Sequence, residues 1–267
     1  LLRTKNILSI AISKDGLQGL SGDALLDNLI ILWDLVKGTK IRELIGHQHG
    51  VRDICFLPAG KRVIFCSYDC TARLWNLETG EQIHFFDYLD TGDPKNLAFG
   101  SPRQVWHMDI SEDGKTMVYC LRDGEICIYD VESGKRIKTL NGPEQVYSSF
   151  SMNTLGTMVI TAFGGSMFTL QEPIDLKILR WDLITGNKEV LIEGENRITA
   201  LFFPKSTSDL YVFPKQGHPI FYDLNTKYKT TILDHLDSEV NCITGNAQGT
   251  KLIVGCKDFT VRLLKRN

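Results

Sequence analysis

At 267 residues, with 43% apolar and 23% charged residues, the chain has the make-up of a globular protein able to bury a large core, which excludes disorder and coiled coil. A formal charge of -2 supplies no basic field of the kind that draws nucleic acid or an anionic membrane, so neither is an expected partner. Its longest apolar runs, such as Leu29 to Leu32, are strand-sized and fall far short of the roughly 20 residues of a membrane-spanning helix.

Taken in order, the chain repeats one theme six times. The first unit, about 5–45, turns at Gly16 and closes a β-rich run with Trp33-Asp34. The second, 46–86, is the clearest. It reads Val51 to Phe56, a Pro58-Ala59-Gly60 turn, Arg62 to Ser67, a Tyr68-Asp69-Cys70 corner, Thr71 to Leu77, a Glu78-Thr79-Gly80 turn and Gln82 to Phe86. Val, Ile, Phe and Thr fill the runs while Gly, Pro and Asp punctuate them, which predicts four short strands. The third (105–140), fourth (146–193), fifth (197–233) and sixth (235–267) units carry Tyr129-Asp130, Trp181-Asp182, Tyr222-Asp223 and the degenerate Leu263-Leu264. No stretch keeps a helical period long enough to compete, so the fold class is all-β.

The aromatic positions 33, 75, 129, 181 and 222, with Leu264 in the last place, are separated by 42, 54, 52, 41 and 42 residues, the period of a stacked or circular array. The turn glycines Gly16, Gly60, Gly114, Gly156 and Gly249 localise the irregularity. Twelve extra residues lie between Trp75 and Gly114, near 87–104, and ten between Gly156 and Trp181, near 164–173. An aspartate stands six places before the aromatic position at Asp27, Asp69, Asp123, Asp175 and Asp258, and Gln216 replaces it in the fifth unit.

With Gly46-His47, Ser67, Asp69 and Trp75-Asn76 in one unit, the chain resembles the WD40-repeat family over essentially its whole length. The resemblance implies one β-propeller domain over 1–267, built of four-stranded antiparallel blades. It also implies a hydrogen-bonded tetrad of His47, Ser67, Asp69 and Trp75, which would satisfy a buried carboxylate and indole N–H together. Units one, three and four lack the Gly-His pair, so apolar packing carries more of the load there. Six blades are visible. Either Leu1 to Thr4 supplies a fourth strand to the last unit and closes six, or the array continues to seven or more. The chain begins at Leu1 without a signal pattern and is expected to be part of a longer polypeptide. In overall character it is similar to propellers attached to NACHT-type or other STAND NTPases, where the propeller senses a ligand.

Seven cysteines, with no CxxC pair, fall mostly in apolar runs, which fits a reducing compartment: cytoplasmic, with a nuclear location open. His47 and His49 have no third ligand nearby, so no metal is expected. Gly114-Lys115-Thr116 lacks the glycine and the helix of a phosphate-binding loop, and no cofactor is expected. Repeated carboxylates at equivalent places do not converge on one point, and no catalytic residue is assigned.

One position remains informative, eight residues before each turn glycine. It holds Leu8, Arg52, Trp106, Ser148 and Asn241, with Thr199 by analogy, while its neighbours stay apolar, as in Val51 and Ile54, Val105 and Met108, or Val240 and Ile243. In the family this place lies near the mouth of the central channel. Arg52, Trp106, Ser148, Thr199 and Asn241 are therefore candidate partner-binding residues, against the alternative that exposed positions vary freely. The insertions add Tyr88, Phe99, Arg103, Met167 and Phe168, on loops that either present them to a partner or fold back on their own blades. The expected function is a non-enzymatic scaffold that binds a protein or peptide and no small-molecule substrate. The alternative is a propeller enzyme with substrate in its channel.

Overall fold

The computed structural model describes residues 7–23, 28–87, 103–142, 147–163, 176–194, 198–204, 207–215, 218–231, 236, 238–246 and 248–265. Among them there is no helix, and every sheet is an antiparallel meander. Two compact units, 1–144 and 145–267, each carry three sheets.

In the first unit the sheets are β1 (Ile7–Ile12), β2 (Gln18–Asp23), β3 (Ile30–Asp34) and β4 (Thr39–Leu44); β5 (Val51–Phe56), β6 (Arg62–Ser67), β7 (Thr71–Asn76) and β8 (Gln82–Asp87); and β9 (Val105–Ile110), β10 (Thr116–Leu121), β11 (Ile126–Asp130) and β12 (Arg136–Leu140). The second unit has β13 (Tyr147–Met152), β14 (Met158–Phe163), β15 (Leu176–Asp182) and β16 (Lys188–Gly194); β17 (Ile198–Phe202), β18 (Asp209–Pro214), β19 (Ile220–Asp223) and β20 (Lys229–Thr231); and β21 (Val240–Gly245), β22 (Lys251–Cys256) and β23 (Val261–Lys265). The last sheet has three strands among the described residues. The fourth strand expected from Leu1 to Thr4 lies outside them, as do Asp27, Asp175 and Gln216.

The second strands β6, β10 and β18 carry a nearly continuous apolar run because they are buried on both faces. Successive side chains of a strand point to opposite sides. On β6, Val63 and Phe65 join Leu20, Ile30 and Leu32 of the first sheet in one core, whereas Ile64 and Cys66 join Met117, Tyr119 and Tyr129 of the third in another. On β18, Leu210 and Val212 pack with Ile160 and Ile178, while Tyr211 and Phe213 pack with Leu252 and Val254. Both partitions leave the hairpin turns at the strand ends. There Gly16, Gly60, Gly114, Gly156 and Gly249 all adopt φ between 67° and 73°, a left-handed conformation that favours glycine.

The acid after each aromatic closes a local turn. Asp34, Asn76, Asp130, Asp182 and Asp223 each accept a backbone N–H three residues on, and the aspartate six before the aromatic does the same across its corner, from Thr71 to Asp69, Glu125 to Asp123 and Thr260 to Asp258. These side chains satisfy turn donors that the sheet cannot reach. That accounts for their fixed spacing.

Candidate functional site

The position eight before the turn glycine has one structural identity throughout. In all six sheets the pairing of the first strand with the second skips that residue: Leu8 between Ile7 and Ser9, Arg52 between Val51 and Asp53, Trp106 between Val105 and His107, Ser148 between Tyr147 and Ser149, Thr199 between Ile198 and Ala200, and Asn241 between Val240 and Cys242. Each is a β-bulge, one extra residue that re-aims its side chain away from the ladder. A bulge frees the residue from cross-strand pairing, so its chemistry varies while Val51 and Ile54, Val105 and Met108 beside it in the second and third sheets remain core.

Four of these side chains are engaged within their own blades or with the neighbouring one. Ser148 Oγ donates to the Ala162 carbonyl at 3.2 Å and Thr199 Oγ1 to the Phe213 carbonyl at 3.1 Å, so both hydroxyls in the second unit are spent on the adjacent strand. In the first unit Arg52 lays its guanidinium over Trp106, with Cζ 5.0 Å from the ring centroid. Tyr68, at the corner between β6 and β7, stacks on Trp106 at 5.7 Å with the rings tilted by 55°. Such a cation–π contact contributes about 0.5–2 kcal/mol, rising with desolvation. Arg52 and Trp106 are thus brought together, and Tyr68 is a member that sequence offsets did not single out.

Beside them, Asp53 ties β5 to β9. One carboxylate oxygen accepts the Ile54 N–H at 2.9 Å and the other accepts the Met108 N–H at 3.2 Å. Burial pushes its carboxyl up to about 6, against those two donors, with the charge of Asp109 adding to the rise and Arg52 opposing it. Both oxygens are occupied by backbone, which fits a structural tie better than an acid awaiting a substrate.

The expected tetrad is rearranged. His47 Nδ1 donates to Asp69 Oδ2 at 2.8 Å, and both residues are buried. Burial alone would raise the Asp69 carboxyl, but the His47 charge and hydrogen bond, the Thr71 hydroxyl at 2.6 Å and the Gln48 N–H at 3.0 Å together bring it down to about 2. Ser67 faces elsewhere: its hydroxyl donates to the His49 carbonyl and accepts from the Asp69 N–H. The buried Trp75 Nε1 makes no hydrogen bond among the described residues. Register supplies the reason. Trp33 donates to Ser21 at 2.9 Å and Trp181 to Thr161 at 3.0 Å, in each case to the residue two beyond its cross-strand partner. The same step from Val63, the partner of Trp75, reaches Phe65, which has no hydroxyl. Trp181→Phe should therefore destabilise by about 1–3 kcal/mol by stranding the Thr161 hydroxyl, whereas Trp75→Phe loses no hydrogen bond and costs less. Urea midpoints of the two variants decide it, and equal losses would refute the assignment.

Of the insertion residues, Arg103 folds onto its own blade, ion-paired to Asp123 at 3.3 Å and to Glu125. Tyr88, Phe99, Met167 and Phe168 lie outside the described residues. Among the described residues no group of His, Cys, Asp or Glu is placed to hold a metal, and no helix is long and apolar enough to cross a membrane.

Comparison with known proteins matches residues 38–76 and 226–264 to the WD domain, G-beta repeat. Pre-mRNA-processing factor 17 of Mus musculus is 33% identical over 40% of this chain and 19% of that protein. Autophagy-related protein 16 of Arabidopsis thaliana is 24% identical over 68% of the chain and 33% of its own length, and transducin-like enhancer protein 2 of Mus musculus is 24% identical over 65% and 22%. The chain thus spans between about a fifth and a third of the length of these relatives.

Proposed function

The chain belongs to the WD40-repeat β-propeller family, and from that premise we propose that it is a non-enzymatic docking platform, the sensing or docking region of a larger protein, which receives a peptide or partner domain on its bulge residues. The observation that carries this is the recurrence of the bulge in all six sheets, combined with the Arg52–Trp106–Tyr68 cluster in the first unit. A bulge on a hydrogen-bonded first strand offers a side chain whose backbone is already fixed, so a partner meets it without a large ordering cost. Arg, Trp and Tyr are the residue types that most often dominate binding energy. In the second and third sheets the flanking Val51, Ile54, Val105 and Met108 are buried, which leaves the bulge side chains Arg52 and Trp106 to meet a partner.

Trp106→Ala tests the proposal. The variant keeps its circular dichroism spectrum and reduces capture of the partner by at least about 10-fold, the scale of losing one hot-spot aromatic. Undiminished capture would remove this cluster from the interface.

A further inference from the structure

Arg52 makes no direct ion pair among the described residues and meets the through-space field of Asp53. It is half-buried, its Nε is enclosed, and its guanidinium makes no hydrogen bond or ion pair among the described residues. Four other arginines of the first unit each make at least one direct polar contact, although the buried Arg73 Nε also makes no hydrogen bond. Arg73 bonds Gln82 and lies 3.9 Å from Asp69, Arg62 pairs with Glu132, Arg103 pairs with Asp123 and Glu125, and Arg42 reaches the carbonyls of Glu78 and Thr79. The adjacent carboxylate of Asp53 attracts Arg52 through space but makes no hydrogen bond to it, its two oxygens accepting the Ile54 and Met108 N–H groups. Partly desolvating a guanidinium costs free energy that a matched anion returns, and the planar fork of arginine matches a carboxylate with two parallel hydrogen bonds.

Resting on the docking reading above, we infer that Arg52, Trp106 and Tyr68 form a carboxylate-binding site that takes a glutamate or aspartate side chain of a peptide partner. Trp106 holds the guanidinium plane from one side and, with Tyr68, offers an aromatic wall for the residue next to the acid. A single guanidinium suits one negative charge. Asp53 and Asp109, which sit close enough to repel each other, oppose any anion at this place, and a phosphate dianion about twice as strongly as a carboxylate.

The test uses blocked hexapeptides with one glutamate between two aromatic residues, a glutamine twin and a phosphoserine twin, titrated into the full chain and followed by tryptophan fluorescence. Trp106→Phe identifies the responding ring. The glutamate peptide binds at least about 10-fold more tightly than the glutamine twin, the scale of a charged hydrogen bond. Arg52→Gln abolishes that preference and Arg52→Lys keeps part of it. Equal binding of the glutamate and glutamine peptides, a preference that survives Arg52→Gln, tenfold tighter binding of the phosphoserine twin, or no response to any peptide at millimolar concentration overturns the inference. Loss of partner capture in Trp106→Ala with full capture in Arg52→Gln leaves docking standing and removes the carboxylate. Full capture in both removes docking itself.

Discussion

Asp69→Ala lowers the unfolding free energy of the first unit by about 3–5 kcal/mol, the cost of taking one partner out of a buried ion pair. Its carboxylate is the hub of the second sheet. His47, the Gln48 and Thr71 N–H groups and the Thr71 hydroxyl all end on its two oxygens, with Arg73 at 3.9 Å. Alanine leaves two buried side-chain donors and at least one buried N–H without their acceptor, since Asp69, His47 and Thr71 are all buried. The same residue sets an acid limb. With a folded value of about 2 against an ordinary value near 4, its stabilisation is complete above about pH 4 and is lost as the pH falls through about 2. The parent should therefore lose stability between pH 4 and pH 2 more steeply than Asp69→Ala does. Denaturation followed at several pH values in that range measures both effects, and parallel acid profiles would separate Asp69 from acid stability.

The architecture of this sheet could be read from its residues because local chemistry and tertiary demand agree there. The four predicted runs of the second unit coincide with β5 to β8 to within one residue, and the turn glycines fall where φ is positive. The bulge was also legible, in a form easy to overlook. Val51 and Ile54, Val105 and Met108, and Val240 and Ile243 are separated by three, whereas an unbroken strand brings a side chain back to the same face after two. One inserted residue per strand is what that spacing requires.

Two parts of the site could not be found by counting. Trp33 lies 12 residues after its hydroxyl partner Ser21 and Trp181 lies 20 after Thr161, because the intervening corners differ in length. The family resemblance selects Ser67 in the second unit, and only register points to Phe65. Tyr68 belongs to a corner in one repeat and Trp106 to the first strand of the next, so their contact arises from blade packing and has no counterpart in any single repeat. Three left-handed corner residues, Asn28, Cys70 and Phe259, stand where the third sheet uses Gly124, and nothing local announces them.

Tyr129→Ala should cost the first unit about 3–5 kcal/mol, since the ring is buried in the core between the second and third sheets, edge-on to Phe86 at 5.5 Å and beside Tyr119 at 5.2 Å. Tyr129→Phe separates the ring from the hydroxyl. In the parent the Tyr129 hydroxyl donates to the Asp87 carbonyl at 2.9 Å and accepts from the Tyr119 hydroxyl at 2.8 Å, so a buried chain of polar groups runs from β10 through β11 to the end of β8. Removing the middle oxygen keeps the apolar contacts and costs about 1–3 kcal/mol for the polar atoms left behind. Asp87 is the last described residue before the 88–102 stretch, so the hydroxyl fixes the point from which that insertion departs. Because the two hydroxyls bond each other and the Asp87 carbonyl rather than Arg52 or Trp106, Tyr129→Phe should shift the urea midpoint while leaving the Trp106 fluorescence response to peptide unchanged. A phenylalanine variant as stable as the parent would mean that the Asp87 carbonyl draws no net stabilisation from this hydroxyl, and the cost of Tyr129→Ala would then belong to the ring alone.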